Sequence, residues 1–470
     1  MRELCRFLDV SCDSQRYQLH HLNTLLFRGE LLAVSADNVS TKECFVRLMT
    51  RELAPTSGRI DWADPAAASS PPCRWSVISA ESSLFCGNLS LAENLIRPDG
   101  ARLIYSRKRA ESQARALLAE LELDYPVSKP LRGPSDRDLY LLSIVKAYSL
   151  GSRFLLLTDY SLFTQSAERE RLRKLVRILL GKEITVILLD GLTVFQGESF
   201  SRMLRFEAGY LVQTLYGAAE MRLSVRRQTH GAFQIPAEEL SGGTLRLECR
   251  LSPRQREAVL SLRPGEVSYL IADRLQQRQL ADDVFGSCPS CRVGLPDGTV
   301  LSGARPDVLL ENGVGYFPQD IRRVLFPNMT FRGNATFLAL KAASRAGFLI
   351  RENVLRCITA DHARLHGGEP VRQALSAFSY ELQFESVVNR YLLYPWKLLI
   401  LRLPYLTSFQ TETAELRRLI DDLSARRAGI LILISSPEEM IFPCHFAWEA
   451  QEDGSVVPFP LLPREEENAP

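Results

Sequence analysis

Residues 29–34 read GELLAV, and residues 265–270 read GEVSYL. Each is a Gly-Glu pair opening into a short apolar run, and the downstream segments recur in the same order. FLLLTD at 154–159 answers to KLLILR at 397–402. A helical stripe comes after each, Leu172, Leu175, Val176 and Leu179 in one and Leu416, Leu419, Ile420 and Leu423 in the other, at i, i+3, i+4, i+7 spacing. Gly181 and Gly429 stand where those helices are expected to stop. TVILLD at 185–190 pairs with ILILISS at 430–436, and RFEAG, ending at Gly209, with WEAQEDG, ending at Gly454. Matches in one order, all about 240 residues apart, mark a chain written twice. The copies are expected over residues 1–215 and 240–460, with a polar linker at 216–239 and a frayed tail at 461–470.

Each copy places strand, helix and strand in close succession, which predicts βαβ crossovers and a parallel sheet. Runs of nearly pure Leu, Ile and Val suit strands covered on both faces. The fold class is therefore α/β. In such sheets ligands sit beyond the carboxyl ends of the strands. The residues to inspect come after Val34, Leu157, Leu189, Ile271, Leu401 and Ile434.

Composition narrows the function classes. The 470 residues are 46% apolar and 24% charged, enough for a sizeable core in each copy and unlike a disordered chain. Lys and Arg number 57 against 55 acidic residues, a net +2, so no global field points to nucleic acid or an anionic membrane. Apolar runs such as Leu398–Leu401 stop well short of the roughly 20 residues a membrane span needs. MRELCRFLDV lacks an apolar signal core. Ten cysteines are too sparse for a disulfide scaffold in a chain this long, and a cytoplasmic location is expected. Cys288-Pro-Ser-Cys291 has the C-x-x-C spacing of zinc and redox motifs but lacks a second close pair, and its role stays open.

At the strand ends the residues resemble a known family. GELLAVSADNVSTKEC (29–44) looks like the phosphate-binding strand, loop and helix of an ABC ATPase. NLSLAENL (88–95), PSDRDLYLLSIVKAY (134–148) and FLLLTDYS (154–161) come in that family's order, as the segment after the glutamine loop, the signature helix and the Walker B strand. The second copy supplies NGVGYFPQD (312–320), FSYELQFESVVNRY (378–391), LLILRLP (398–404) and ILISSPEEM (432–440). Together these resemble the tandem ATPase subunits of bacterial pentose and hexose importers, of the ribose, galactose and xylose type. The resemblance implies two tandem P-loop NTPase-like cassettes, each with a mostly parallel sheet flanked by helices.

It also implies which residues matter. A phosphate loop G-x-x-x-x-G-K-[ST] wraps phosphates with backbone N–H groups and leaves no room for Cβ atoms. Its glycine positions here carry Ala36, Val39 and Thr41, while Lys42 is kept and Glu43 replaces the metal-binding hydroxyl. If the loop kept the family's shape, Val39 and Thr41 would add about 2–4 kcal/mol of backbone strain. The two acids after the Walker B strand correspond to Thr158 and Asp159 in one copy and to Arg402 and Leu403 in the other. The next strand's histidine corresponds to Gly191 and Ser436. The second phosphate loop, 271–286, holds no glycine before Gly286 and no lysine. The nucleotide-binding candidates carried over are Asn38, Thr41, Lys42, Glu43 and Ser135; Asp159 is a vestigial acid, and no metal ligand is assigned. Gln319, Tyr17 and the pair His20-His21 are expected to be structural, and the Arg-rich stretch 168–177 a solvated helix face.

The resemblance then implies a cassette protein with both ATP sites eroded, weak ATP and Mg²⁺ binding at most, and a structural or regulatory role at a permease. Its partners would be membrane permease subunits or another ABC cassette, with no nucleic acid and no membrane span of its own. The location would be cytoplasmic, peripheral on the inner face of the plasma membrane. The alternatives are a soluble pseudo-ATPase that binds another protein, and a divergent but active transport ATPase. No residue identifies the sugar.

Overall fold

The structure is a computed structural model that describes residues 2–63, 75–79, 85–96, 106–130, 135–158, 163, 166–189, 202–216, 243–251, 257–340, 344–345, 349–350, 353, 373–403, 410–435, 437–451 and 453–461. Its contacts divide the chain into two compact units, Met1–Gln228 and Thr229–Pro470. The expected linker and tail lie almost wholly outside the described residues.

Unit 1 opens with three antiparallel strands, β1 (Glu3–Asp13), β2 (Gln18–Phe27) and, after β3 (Leu31–Ala36) and helix α1 (Val39–Met49), β4 (Ser57–Trp62). Then come β5 (Trp75–Ile78), α2 (Leu91–Leu95), α3 (Arg107–Glu120), α4 (Asp136–Ser149), β6 (Phe154–Leu157), α5 (Ser166–Gly181), β7 (Thr185–Leu189), β8 (Arg202–Glu207) and β9 (Tyr210–Leu215). Across the sheet the order is β4-β1-β2-β9-β8-β3-β7-β6-β5. From β8 to β5 all neighbours are parallel. The strands that read as continuous apolar runs, β6 and β7, are buried at every position, as a sheet covered on both faces requires.

Unit 2 repeats the plan. Its antiparallel sheet, ordered β11-β10-β13-β14, is formed by β10 (Leu245–Arg250), β11 (Glu257–Leu262), β13 (Arg292–Gly294) and β14 (Val300–Ser302). Its second sheet runs β15-β18-β19-β12-β20-β21, parallel at every pair except the antiparallel β20–β21. It is built from β12 (Val267–Ile271), β15 (Val314–Phe317), β18 (Leu398–Arg402), β19 (Gly429–Ile434), β20 (Phe446–Ala450) and β21 (Val456–Pro458), with helices α6 (Arg274–Phe285), α7 (Pro306–Glu311), α8 (Phe331–Thr336), α9 (Tyr380–Leu392) and α10 (Gln410–Ala425). That order matches β5-β6-β7-β3-β8-β9 of unit 1 strand for strand. A two-stranded antiparallel ribbon of β16 (Ser344–Arg345) and β17 (Leu349–Ile350) completes the described strands.

Two small devices recur in both units and show why the sequences fold alike. Gly29 and Gly265 take the left-handed conformation, at φ 69° and 86°. Each turns the chain so that the next carboxylate reaches back three residues: Glu30 accepts the Phe27 N–H at 2.8 Å and Glu266 the Arg263 N–H at 3.0 Å. Glu30 is 1% exposed and is held by the Arg202 guanidinium at the start of β8. Glu266 instead accepts from the Ser268 hydroxyl and lies near His445. The second device is an asparagine bracket. Asn94 bonds the backbone of Cys86, Leu89 and Ser90, and Asn334 bonds Phe326, Met329 and Thr330 in the same pattern. Arg390 seals the second bracket by donating to Asn334 and to the Val324 carbonyl.

One sequence expectation is corrected at the helix ends. The left-handed residues that come after α5 and α10 are Glu183 and Arg427, at φ 59° and 64°. Gly181 is still helical, and Gly429 is already the first residue of β19, where a Cβ would stand 2.4 Å from Leu245 Cδ1. Close packing against Leu245, not chain reversal, is what the second glycine serves.

Glu30→Ala should cost unit 1 about 3–5 kcal/mol, the usual penalty for leaving a buried guanidinium unpaired. Glu266→Ala should cost unit 2 about 1–3 kcal/mol, since a hydroxyl and an amide lose their acceptor. Urea unfolding with a probe in each unit measures both. Burial lowers the pKa of His445 below its ordinary value despite the Glu266 carboxylate. The neutral ring accepts the Val267 N–H at 3.1 Å, so its contribution is full above about pH 6.5 and lost as pH falls below that. The unit 2 midpoint should drop across that window, and His445→Gln should flatten the drop.

Candidate functional site

In unit 1 the carboxyl ends of β3, β7 and β6 lie side by side, because these three strands are adjacent in the sheet. Between β3 and α1 only Asp37 and Asn38 intervene. Asn38 is extended, at φ −143° and ψ 157°, and its side-chain oxygen accepts the Thr41 N–H at 2.7 Å. Its amide nitrogen donates to Asp37 Oδ1 at 2.8 Å. Asp37 in turn accepts the Ala208 N–H at 2.9 Å from the β8–β9 turn. The Thr41 N–H at the start of α1 is thus satisfied from within the chain.

None of residues 36–43 has a positive φ. The strain expected at Val39 and Thr41 is therefore not incurred, since α1 begins at Val39 and gives both residues a helical backbone. Thr41 is fully buried, and its Oγ1 has no hydrogen-bond partner among the described residues. Lys42 is half-buried in the first turn of α1. Glu43 faces Arg16, 4.0 Å away. The Arg16 and Arg47 guanidinia lie 5.4 and 5.5 Å from the Tyr17 ring, so the tyrosine is buried between cations. At the end of β6 the Thr158 hydroxyl and amide both donate to the Ile78 carbonyl, at 3.4 and 2.9 Å. Asp159 and Gly191 lie outside the described residues.

The signature region obeys the same rule. Ser135 caps α4 by accepting the Asp138 N–H at 3.1 Å, and its hydroxyl donates to Asp138 Oδ2 at 2.6 Å. Tyr125 donates to the other Asp138 oxygen at 2.7 Å. Burial, then the Asp138 hydrogen bond, hold the Tyr125 hydroxyl well above its usual range. Arg137 is paired with Glu168 on α5. Glu170 of that helix pairs with Arg173 and Arg177, as a solvated face predicts. Ser135 and Lys42 therefore belong to different helices, each capped by its own local acceptor.

Unit 2 closes its strand ends differently. Asp273 and Gln276 form a reciprocal cap on α6, with both bonds at 2.9 Å. One turn on, Gln277 donates to the Ala272 carbonyl at 2.9 Å and to Ser435 Oγ at 3.3 Å. Its oxygen accepts from Arg402 Nε at 2.9 Å. The ends of β12, β18 and β19 are joined through this one amide, with a guanidinium where the resemblance expects an acid. Leu403 is buried, Ser436 lies outside the described residues, and Gln319 is half-buried two residues after β15. On α9, Ser379 caps by accepting from Leu382 N at 3.4 Å. His20 packs on Tyr210, and His21 bonds Asp9 at the surface. Among the described residues, no group of three or more His, Cys, Asp or Glu is placed to hold a metal ion. No helix among them is long and apolar enough to cross a membrane. Asn94, Asn334 and Gln277 were not singled out from sequence, although the two copies aligned would have shown the asparagines at matched positions.

Asn38→Ala should lower unit 1 stability by about 1 kcal/mol through loss of the cap, whereas Asn38→Ser should stay near the parent. Denaturant midpoints of the three proteins check the order.

The chain is 26% identical over 446 residues to Ribose import ATP-binding protein RbsA 2 of Rubrobacter xylanophilus, spanning 88% of this chain and 84% of that one. It is 24% identical over 445 residues to Ribose import ATP-binding protein RbsA 2 of Streptomyces avermitilis, spanning 90% and 87%. A putative ribose/galactose/methyl galactoside import ATP-binding protein 3 of Agrobacterium fabrum is 24% identical over 449 residues, spanning 91% and 89%. No protein-family model matches the chain. A solved nucleotide-free ATP-binding cassette from an ABC transporter aligns with 48% of this chain and 95% of its own, at 13% identity and a TM-score of 0.39. Over 88–91% of its length the chain is similar to the ATP-binding subunits of sugar ABC importers.

Proposed function

We propose that the chain is the cassette subunit of a carbohydrate importer, that its nucleotide positions turn over ATP weakly or not at all, and that it serves a permease as a structural or regulatory partner. The observation that carries this is the closed N-terminus of α1. Phosphate binding at a helix start uses free backbone N–H groups and the positive end of the helix dipole. Here the Asn38 oxygen already holds the Thr41 N–H, and the Asp37 carboxylate lies beside it. Opening the cap costs about 1 kcal/mol, and like charge from Asp37 adds to it, so affinity falls about tenfold or more.

The same residues fit a magnesium ion poorly. Glu43 is turned toward Arg16, and the Thr158 hydroxyl is bonded to a carbonyl. In unit 2, Arg402 puts positive charge where a divalent cation would need an acid. The buried Thr41 hydroxyl, without a partner among the described residues, is the kind of polar atom that a ligand oxygen would satisfy. Hydrolysis needs phosphates wrapped, a metal held and a water oriented, and no step is assigned to either unit.

A permease role draws support from the asparagine brackets. They hold two short loops firmly while Leu89 and Met329, at matched positions, are 41% and 38% exposed. A permease helix would dock along residues 80–95 and 319–335, which contain both; residues 80–84 lie outside the described part.

Titration calorimetry should give no saturable heat with millimolar ATP, with or without Mg²⁺. Thr158→Asp combined with Asp159→Glu should leave turnover at background, because the α1 cap is untouched. Robust turnover from that pair of substitutions would refute the closed-site argument. Co-purification with a multi-span permease is expected from membranes, and a monodisperse protein absent from the membrane fraction would remove the importer role.

A further inference from the structure

The one sequence motif that the importer role leaves unused is Cys288-Pro-Ser-Cys291. It lies between α6 and β13 as a tight turn, with Pro289 at the position that favours proline and the Cys291 N–H donating to the Cys288 carbonyl at 3.0 Å. Gly303 holds the turn from outside: its N–H donates to the Cys291 carbonyl at 3.0 Å, and a Cβ there would meet Pro289 Cα at 3.1 Å. The two thiols differ in access. Cys288 is half-buried, with Sγ 3.2 Å from Ser290 Oγ, whereas Cys291 is 3% exposed in the core beside Val293. A hydrogen-bonded turn keeps its end Cα atoms within about 7 Å. A disulfide spans about 4.4–6.8 Å between Cα atoms, so the turn already sets a bridgeable distance.

We propose that Cys288 and Cys291 form a peroxide-responsive thiol pair, a modification site in unit 2. The Cys288 sulfur attacks one peroxide oxygen, the O–O bond breaks, and water leaves as Cys288 becomes a sulfenic acid. The Cys291 sulfur then displaces hydroxide from Cys288, the thiol proton completes a second water, and an S–S bond remains. The peroxide is the oxidant and takes the two electrons that the sulfurs lose.

The surroundings assign the roles. Burial, then Asp283 and Cys288, push the Cys291 thiol up to about 12, so it does not act first as a thiolate. Cys288, with solvent access, takes the oxidant, and Cys291 resolves. A resolving thiol with so high a pKa is also a poor leaving group, so the bridge is slow to be reduced once formed. Cys249 is a bystander despite its position. The β10–β13 register that pairs Leu247 with Val293 and Glu248 with Arg292 sets it opposite Cys291, but it is fully buried and has no route to the oxidant.

The test uses the reduced full-length protein and hydrogen peroxide. The parent should lose two more thiols than Cys288→Ser, and peptide mapping should recover a Cys288–Cys291 link. Cys291→Ser should leave a sulfenic acid on Cys288 that dimedone captures, and Cys249→Ser should keep the link. Equal thiol loss in the parent and Cys288→Ser, a Cys249–Cys291 link, or no dimedone adduct would each overturn the assignment. Cys288→Ser changes a half-buried turn residue, so the comparison survives if Cys291→Ser fails to fold.

Discussion

A carboxylate buried at the start of the central strand organises each unit. Glu30 and Glu266 reach back to an N–H three residues earlier, which ends the preceding strand and aims the next one into the sheet. A buried carboxylate is costly unless its oxygens are satisfied, so the rest of the core is arranged to meet that demand. In unit 1 the answer is Arg202, which brings the first residue of β8 to the same point and fixes the strand order around β3. In unit 2 the Ser268 hydroxyl serves instead. Different partners meet one geometric requirement, and the parallel cores come out alike.

The strand ends pose a second demand of the same kind. A helix start exposes N–H groups that need acceptors. In a nucleotide-loaded cassette a polyphosphate can supply them. Here Asn38, Ser135, Asp273 and Ser379 do so, each from its own helix. Gln277 goes further and ties three strand ends of unit 2 together through one side chain. At the start of α1 the Thr41 N–H finds its acceptor within the chain, and the helical backbone from Val39 onward leaves residues 36–43 without strain.

Much of the architecture was legible because it rests on periodicity. Apolar runs and helical stripes point to the parallel strands, and the doubled order of motifs to the strand order that both sheets share. Local choice could not be read in the same way. Val39 and Thr41 looked strained only on the assumption that the loop kept a borrowed shape. Sequence alone does not say whether a loop bends or a helix starts early. Gly429 was misplaced for a related reason: a glycine near a helix end usually marks a left-handed residue, but here Leu245 packs against it and Arg427 makes the turn. Asn94 and Asn334 went unnoticed because a lone asparagine carries no signal until its several backbone partners are known.

The asparagine brackets have a consequence for energetics of encounter. A loop that must become ordered when something settles on it charges that ordering against affinity. The loops ending at Ser90 and Thr330 are stiffened in advance, each by several bonds from one amide. Whatever rests on Leu89 or Met329 would meet a surface with little remaining disorder to lose, so a modest apolar footprint can yield a durable grip.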